Sequence, residues 1–242
     1  GIRYPLWSLG SEMCIRDRCL ASCASDATYR QRYEALQNSG GAGDVDTYSP
    51  IEIVGGRHAG FIPVAPSEER TISEAALGRA IEYAQRNRSS SLLIWHKGRL
   101  QAARYWGGDA TTAVNSRSLH KMLGGLLVGA AIRDGHIRSL DDSVADYITE
   151  WKGTPKETIS IRNVLQMSSG LMWFGPGGVG SVQSRRYLDP HWDRVLLKEI
   201  PLEFEPGSAY DYSDITADVI PHLIERSTHQ PVSYTHLRAH ET

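Results

Sequence analysis

Cysteine is confined to one end of this sequence: Cys14, Cys19 and Cys23 are its three cysteines, and none follows. The body therefore carries no disulfide framework, and no Cys/His cluster has zinc spacing. No run approaches the roughly 18 consecutive apolar residues that a membrane-spanning helix needs. Net charge is small too. Twenty-six Lys+Arg against 28 Asp+Glu leave −2, which excludes a broad electrostatic field for nucleic acid or anionic lipid. Nothing repeats at a fixed period, so solenoids and propellers are excluded.

What remains is ordinary globular material: 242 residues, 40% hydrophobic and 22% charged, enough for one large domain or two small ones. Residues 1–22 show neither helical nor strand period. Ser8 to Arg18 resembles translated sequencing-adapter DNA, and so does the end, Val232 to Thr242. On this reading, residues 1–22 and 232–242 lie outside the fold and the natural protein is cut on both sides. The alternative is a pair of ordinary frayed termini. Leu20-Ala21-Ser22-Cys23 resembles a bacterial lipobox, with Cys23 as the lipidated first residue of the mature chain. That would place the protein in the bacterial periplasm or cell envelope. An incidental cysteine is the competing reading. Residues 38–44 have linker composition, and 23–70 read as a tether and extended segment.

Residues 71–88 predict a helix, with Thr71 as N-cap and Glu74 completing a capping box. Leu92 to Trp95 predicts a buried strand. Lys97-Gly98 supplies a turn and Leu100 to Trp106 returns, giving an antiparallel hairpin. From Leu119 to Ile132 the residues are apolar nearly all round, which predicts a buried helix. Gly124, Gly125 and Gly129 within it would let another backbone come close, and Gly135 ends it. Short helices are expected from Asp141-Asp142 to Tyr147, from Thr158 or Ser160 to Met167 (closed by Gly170), and from Trp192 to Glu199. Residues 174–180 are expected to form a loop.

A serine hydroxyl is a poor nucleophile at neutral pH and needs a base within reach. Ser118-Leu119-His120-Lys121 puts a hydroxyl and an amine at i and i+3, side by side at the head of the apolar helix. The helix N-terminus adds backbone N–H groups and positive potential, suited to a developing oxyanion. A lysine on an apolar helix also needs a partner, because an unpaired buried cation is costly. The bland alternative makes Ser118 an N-cap and Lys121 a solvated side chain. A chain of this length yields roughly one Ser-x-x-Lys by chance, so the motif alone decides nothing.

Four segments in order decide more. Ser118 to Gly135 resembles the nucleophile helix of the serine β-lactamase/penicillin-binding-protein superfamily. His136 to Val144 resembles its next segment, and Ile159 to Leu171 a further, specific run. Pro206-Gly207-Ser208 with Tyr212-Ser213-Asp214 resembles its Tyr-x-Asn region. The resemblance runs from about residue 71 to 231 and is nearest the class C-like branch, which also holds esterases and 6-aminohexanoate-dimer-type amide hydrolases. It implies an α+β fold, an antiparallel sheet flanked by helices plus a mostly helical subdomain at roughly 118–205, with the site in the cleft between them. It implies Ser118 as nucleophile, Lys121 as its partner and Tyr212 as general base then acid. Asp214 stands where asparagine is usual. A carboxylate there would favour charged Lys121 and shift the base role to Tyr212. Asp214, Trp173 and His120 are the candidate substrate contacts, against the alternatives of core packing for Trp173 and of a structural or surface histidine for His120. Tyr210 fits the pattern less well than Tyr212, and Ser168 and Ser169 shape a turn. No metal or organic cofactor is implied.

The family's third element, Lys/His-Thr/Ser-Gly, has no match after Tyr212. On the truncation reading, C-terminal strands are missing and the 242-residue chain has little or no turnover; robust, Ser118-dependent hydrolysis of a nitrophenyl ester would contradict that. The leading function is acyl transfer on Ser118 with a small-molecule ester, amide or β-lactam substrate, and no nucleic acid. The competing one is a penicillin- or cell-wall-peptide-binding or sensor domain that acylates without turnover. A plain structural domain with chance motifs would form no covalent adduct.

Overall fold

The computed structural model describes residues 2–5, 27–38, 51–54, 60–112, 116–173 and 181–232. The chain divides into two compact units, residues 57–115 and residues 1–56 with 116–242.

In the smaller unit, α2 (Glu74–Arg86) precedes the hairpin of β3 (Ser91–His96) and β4 (Arg99–Tyr105). Lys97 and Gly98 both have positive φ, the turn whose twist matches paired antiparallel strands. The helix cap is Ser73, whose hydroxyl accepts from the Ala76 amide. Thr71, the expected cap, is engaged elsewhere: its amide donates to the fully buried Gln101 (2.8 Å) and its hydroxyl meets His96 Nδ1. The expectation of a buried β3 is corrected. Leu93 and Trp95 are 55% and 56% exposed, because a two-stranded ribbon covered by one helix buries one face only.

In the larger unit, β1 (Ile2–Pro5) pairs antiparallel with β2 (Ile51–Val54). Residues 2–5 thus form a strand where the sequence shows no strand period; their partner is distant in sequence, which local periodicity cannot reveal. The expected tether contains α1 (Ala27–Gln37), pinned by buried Tyr29, whose hydroxyl donates to Ser184 (2.8 Å).

The core of this unit lies between α3 (His120–Arg133) and α7 (Asp214–Thr228). Leu127, Val128 and Ala131 meet Ile215, Val219, Ile220, Leu223 and Ile224, with Trp151, Val195 and Leu196 behind them. Trp151 stays polar-satisfied by donating from Nε1 to the Leu197 carbonyl (2.9 Å). α3 is not buried all round as its composition predicts. Met122 and Leu126 are 66% and 69% exposed on the side away from this core. Gly135 does reverse the chain after α3, at φ 79°. Between α3 and α7 come 3-10 turns, with Val144–Asp146 capped by Ser143 in place of the expected helix from Asp141. Next come α4 (Ile161–Leu165), with a full Ser160/Asn163 capping box, α5 (Val182–Leu188) and α6 (Trp192–Arg194), which runs into a π turn at Val195–Glu199. The expected loop at 174–180 and Cys23 lie outside the described residues.

Candidate active site

Two chain segments bring the candidate groups together. The first is the 3-10 turn Arg117–Leu119 that feeds α3. Arg117 has φ 48°, in the left-handed region, where a non-glycine residue is uncommon and marks a sharp local reversal. Ser118 follows it, and one helical turn on, Lys121 points the same way. Its Nζ donates to Ser118 Oγ at 3.0 Å.

The second segment ends at the cap of α7. The Asp211 amide donates to the Met167 carbonyl and the Gly207 amide to that of Ser168, both at 2.8 Å. This fastens residues 207–211 to the turn after α4. That turn requires glycine at 170: φ is 75° and a Cβ there would sit 2.2 Å from the Phe204 carbonyl oxygen. Buried Ser169, in the same turn, shares a 2.7 Å hydrogen bond with Thr216 of α7, so the serines shape the turn as their sequence context suggests. Ser213 then caps α7 through Thr216, which leaves Tyr212 immediately before the helix and Asp214 in its first turn.

α3 and α7 come close at Gly124. A Cβ at this position would lie 3.2 Å from two carbon atoms of Ile220. The close approach draws the heads of both helices together. Tyr212 OH lies 2.6 Å from Ser118 Oγ, and Asp214 Oδ1 lies 2.6 Å from Lys121 Nζ. Lys121 also sits over the Tyr212 ring, 5.2 Å from its centroid.

Electrostatics follow from this geometry. Burial works against the Lys121 cation, but its hydrogen bonds with Asp214 and Tyr212 and their charges outweigh that, so its pKa is raised above the ordinary lysine value. Tyr212 moves the other way. Its hydrogen bonds with Ser118 and then Lys121 favour the phenolate, and its pKa is lowered despite some burial. Of the groups near Ser118, the phenol is therefore the better proton acceptor and the lysine the fixed cation.

The other candidates are placed differently. His120 is exposed and its Nδ1 pairs with its own turn's Arg117 carbonyl. Trp173 is half-buried against the core, its amide donating to Glu203 at 3.3 Å. Tyr210 is 71% exposed, and no hydrogen bond joins it to Ser118. Sequence reading passed over Arg186, on α5. Its guanidinium lies 3.6 Å from the far oxygen of Asp214. An arginine in a short polar helix gives no sequence signal of that placement. Among the described residues, no group of His, Cys, Asp and Glu is arranged to hold a metal ion.

A helical core that holds the Ser118–Lys121 pair against Tyr212 is the arrangement that the sequence resemblance leads one to expect. The chain belongs to the beta-lactamase family, which it matches over residues 73–235. It is 29% identical over 102 residues to a curated protein of Escherichia coli K12 named "Putative D-alanyl-D-alanine carboxypeptidase", a stretch covering 38% of this chain and 23% of that one. Its fold is similar to that of a "Putative 6-aminohexanoate-dimer hydrolase" from Bacillus anthracis (TM-score 0.59, 18% identity), covering 86% of this chain and 57% of that chain. It is also similar to FmtA from Staphylococcus aureus (TM-score 0.52, 17% identity), with 74% and 50% covered. The chain thus spans about a quarter of the curated relative and a little over half of the first structure.

Proposed function

We propose that this chain carries the acylation centre of a serine hydrolase. The observation behind the proposal is the meeting at Ser118 Oγ of Tyr212 OH at 2.6 Å and Lys121 Nζ at 3.0 Å. Tyr212 takes the Ser118 proton as Oγ attacks the carbonyl of an ester, amide or β-lactam. When the carbonyl–leaving-group bond breaks, the proton passes from Tyr212 to the leaving group, and an acyl-enzyme remains. Water then adds to the acyl carbonyl. Tyr212 takes its proton and returns it to Ser118 Oγ as the acid departs. Lys121 keeps its charge throughout, held by Asp214, and stabilises the phenolate. His120 and Trp173 are assigned to contact with substrate. An envelope location with a lipid on Cys23 fits this chemistry, and incorporation of labelled palmitate into the expressed protein, lost in Cys23→Ser, tests it.

A nitrophenyl ester tests the catalytic reading. A burst of nitrophenol equal to the protein concentration, absent in Ser118→Ala, is the expected result; no burst would refute it. A burst followed by steady release marks a hydrolase. A burst alone marks acylation without turnover, the reading left open by Asp214 at the position where the family carries asparagine.

A further inference from the structure

Arg186 sits behind the Asp214 carboxylate. Its guanidinium grips Asp218 in bidentate fashion, Nε to Oδ2 at 2.6 Å and Nη2 to Oδ1 at 2.7 Å. Its remaining nitrogen, Nη1, lies 3.6 Å from Asp214 Oδ2. The other oxygen of that same carboxylate holds Lys121. Asp214 is therefore bridged between two cations, Lys121 in front and Arg186 behind. All four side chains are largely buried, at 12–19% exposure, where charges interact more strongly than in water.

The placement solves a specific problem. Asp214 and Asp218 are four apart on α7, so both carboxylates lie on one face of the helix and repel. A planar guanidinium with its fork on one carboxylate and its free edge toward the other relieves that repulsion. The Tyr187 ring packs on the guanidinium, 5.1 Å away, and completes its setting. The charged and titratable groups facing this knot are Lys121 from α3, Arg186 and Tyr187 from α5, Asp218 from α7, and Tyr212 just before α7. Asp193 of α6 stands beyond Asp218; burial raises its pKa, with His222 and Arg226 pulling it back. Lys121, Arg186, Asp214 and Asp218 sum to zero. Without Arg186 they carry a net negative charge a short step from the phenol.

We infer that Arg186 is a positioning residue of the Ser118 centre, fixing the Asp214 carboxylate so that it pairs with Lys121 and offsetting that carboxylate's charge at Tyr212. The inference rests on the function proposed above and adds a group to it that never touches substrate.

The test follows Tyr212 by NMR of 13Cζ-tyrosine across pH, and follows Ser118 by its rate of modification with a fluorophosphonate, in the 242-residue chain. Arg186→Gln is expected to move the Tyr212 midpoint upward and to slow modification by roughly ten- to a hundredfold. Arg186→Lys, with charge but no fork, is expected to leave the midpoint near wild type and give an intermediate rate. In an Asp214→Asn background, Arg186→Gln is expected to have a much smaller effect on both. A merely structural tie between α5 and α7 would lower the melting temperature without moving the midpoint. Folded Arg186→Gln with an unmoved Tyr212 midpoint overturns the inference. Should that variant fail to fold, Arg186→Lys decides: a modification rate equal to wild type overturns it, and a slowed rate with an unmoved midpoint supports it. A wild-type chain that takes no label on Ser118 refutes the proposed function instead, and the Tyr212 midpoints still judge the role of Arg186.

Discussion

Lys121 Nζ and Asp214 Oδ1 form a 2.6 Å ion pair at the junction of α3 and α7, with both side chains largely buried. A lysine acting as base would have to be neutral. This one is pushed the other way, its pKa raised by the groups around it. In the proposed mechanism the proton from Ser118 therefore goes to Tyr212, whose pKa is lowered. On the proposed mechanism, Asp214 in place of asparagine assigns the role of base to Tyr212 rather than Lys121.

The rate of Ser118 modification should rise with pH through a midpoint below the ordinary tyrosine value. It should fall only when Lys121 loses its proton, above the ordinary lysine value. Tyr212→Phe removes the acceptor and is expected to lower the rate by roughly 10²–10⁴-fold, with the rising limb gone. Stopped-flow measurement across pH checks both.

Asp214→Asn removes the carboxylate while keeping the shape. Burial, which opposes the Lys121 charge, then has one fewer opponent. The falling limb of the same pH profile is expected to shift to lower pH, a direction opposite to that of a general loss of structure.

Gly124 and its neighbours predict a contrast in stability. Gly124→Leu forces a side chain into the space of Ile220 and is expected to cost about 1–3 kcal/mol, while weakening the Lys121–Asp214 pair. A Cβ at Gly125 or Gly129 meets nothing within 4 Å. Alanine there is expected to stabilise by about 0.5–1 kcal/mol through helix propensity. Urea unfolding of the three variants decides.

Lys156 predicts a pH dependence of stability. It is 8% exposed, donates to the Leu197 carbonyl at 3.1 Å and lies 5.3 Å from the Trp151 ring centroid. Burial pushes its pKa from 10.5 down to about 8. Between those values the unfolded chain binds more protons than the folded one, so this group's contribution to stability rises with pH. Below about pH 8 its penalty is fully present, of order 3 kcal/mol. Lys156→Met is expected to be more stable at pH 7 and to lose the rise between pH 8 and 10.5, measured by denaturant unfolding.

The hairpin at 91–105, the ends of α3 and the Ser118–Lys121 pair were legible because each depends on local spacing or turn chemistry. Tyr212 was legible only through family resemblance, since nothing local says that a residue 94 positions away will return to Ser118. α7 escaped because Pro221 interrupts it and proline reads as a helix breaker; its burial against α3 holds the helix together across the missing hydrogen bond. α5 escaped because Arg185 and Arg186 make it look like a solvated loop. Both arginines turn inward to acids, Arg185 to Asp189 and Glu199, and Arg186 to Asp218. The exposed faces of β3 and α3 were misread for a related reason: composition reports how apolar a face is, not whether a neighbour covers it.

The most direct test of the central claim is peptide-mapped mass spectrometry of the 242-residue chain after incubation with a fluorophosphonate. The structure predicts one adduct, on Ser118, lost in Ser118→Ala and strongly slowed in Tyr212→Phe. An unmodified chain, or an adduct that persists in Ser118→Ala, would contradict it.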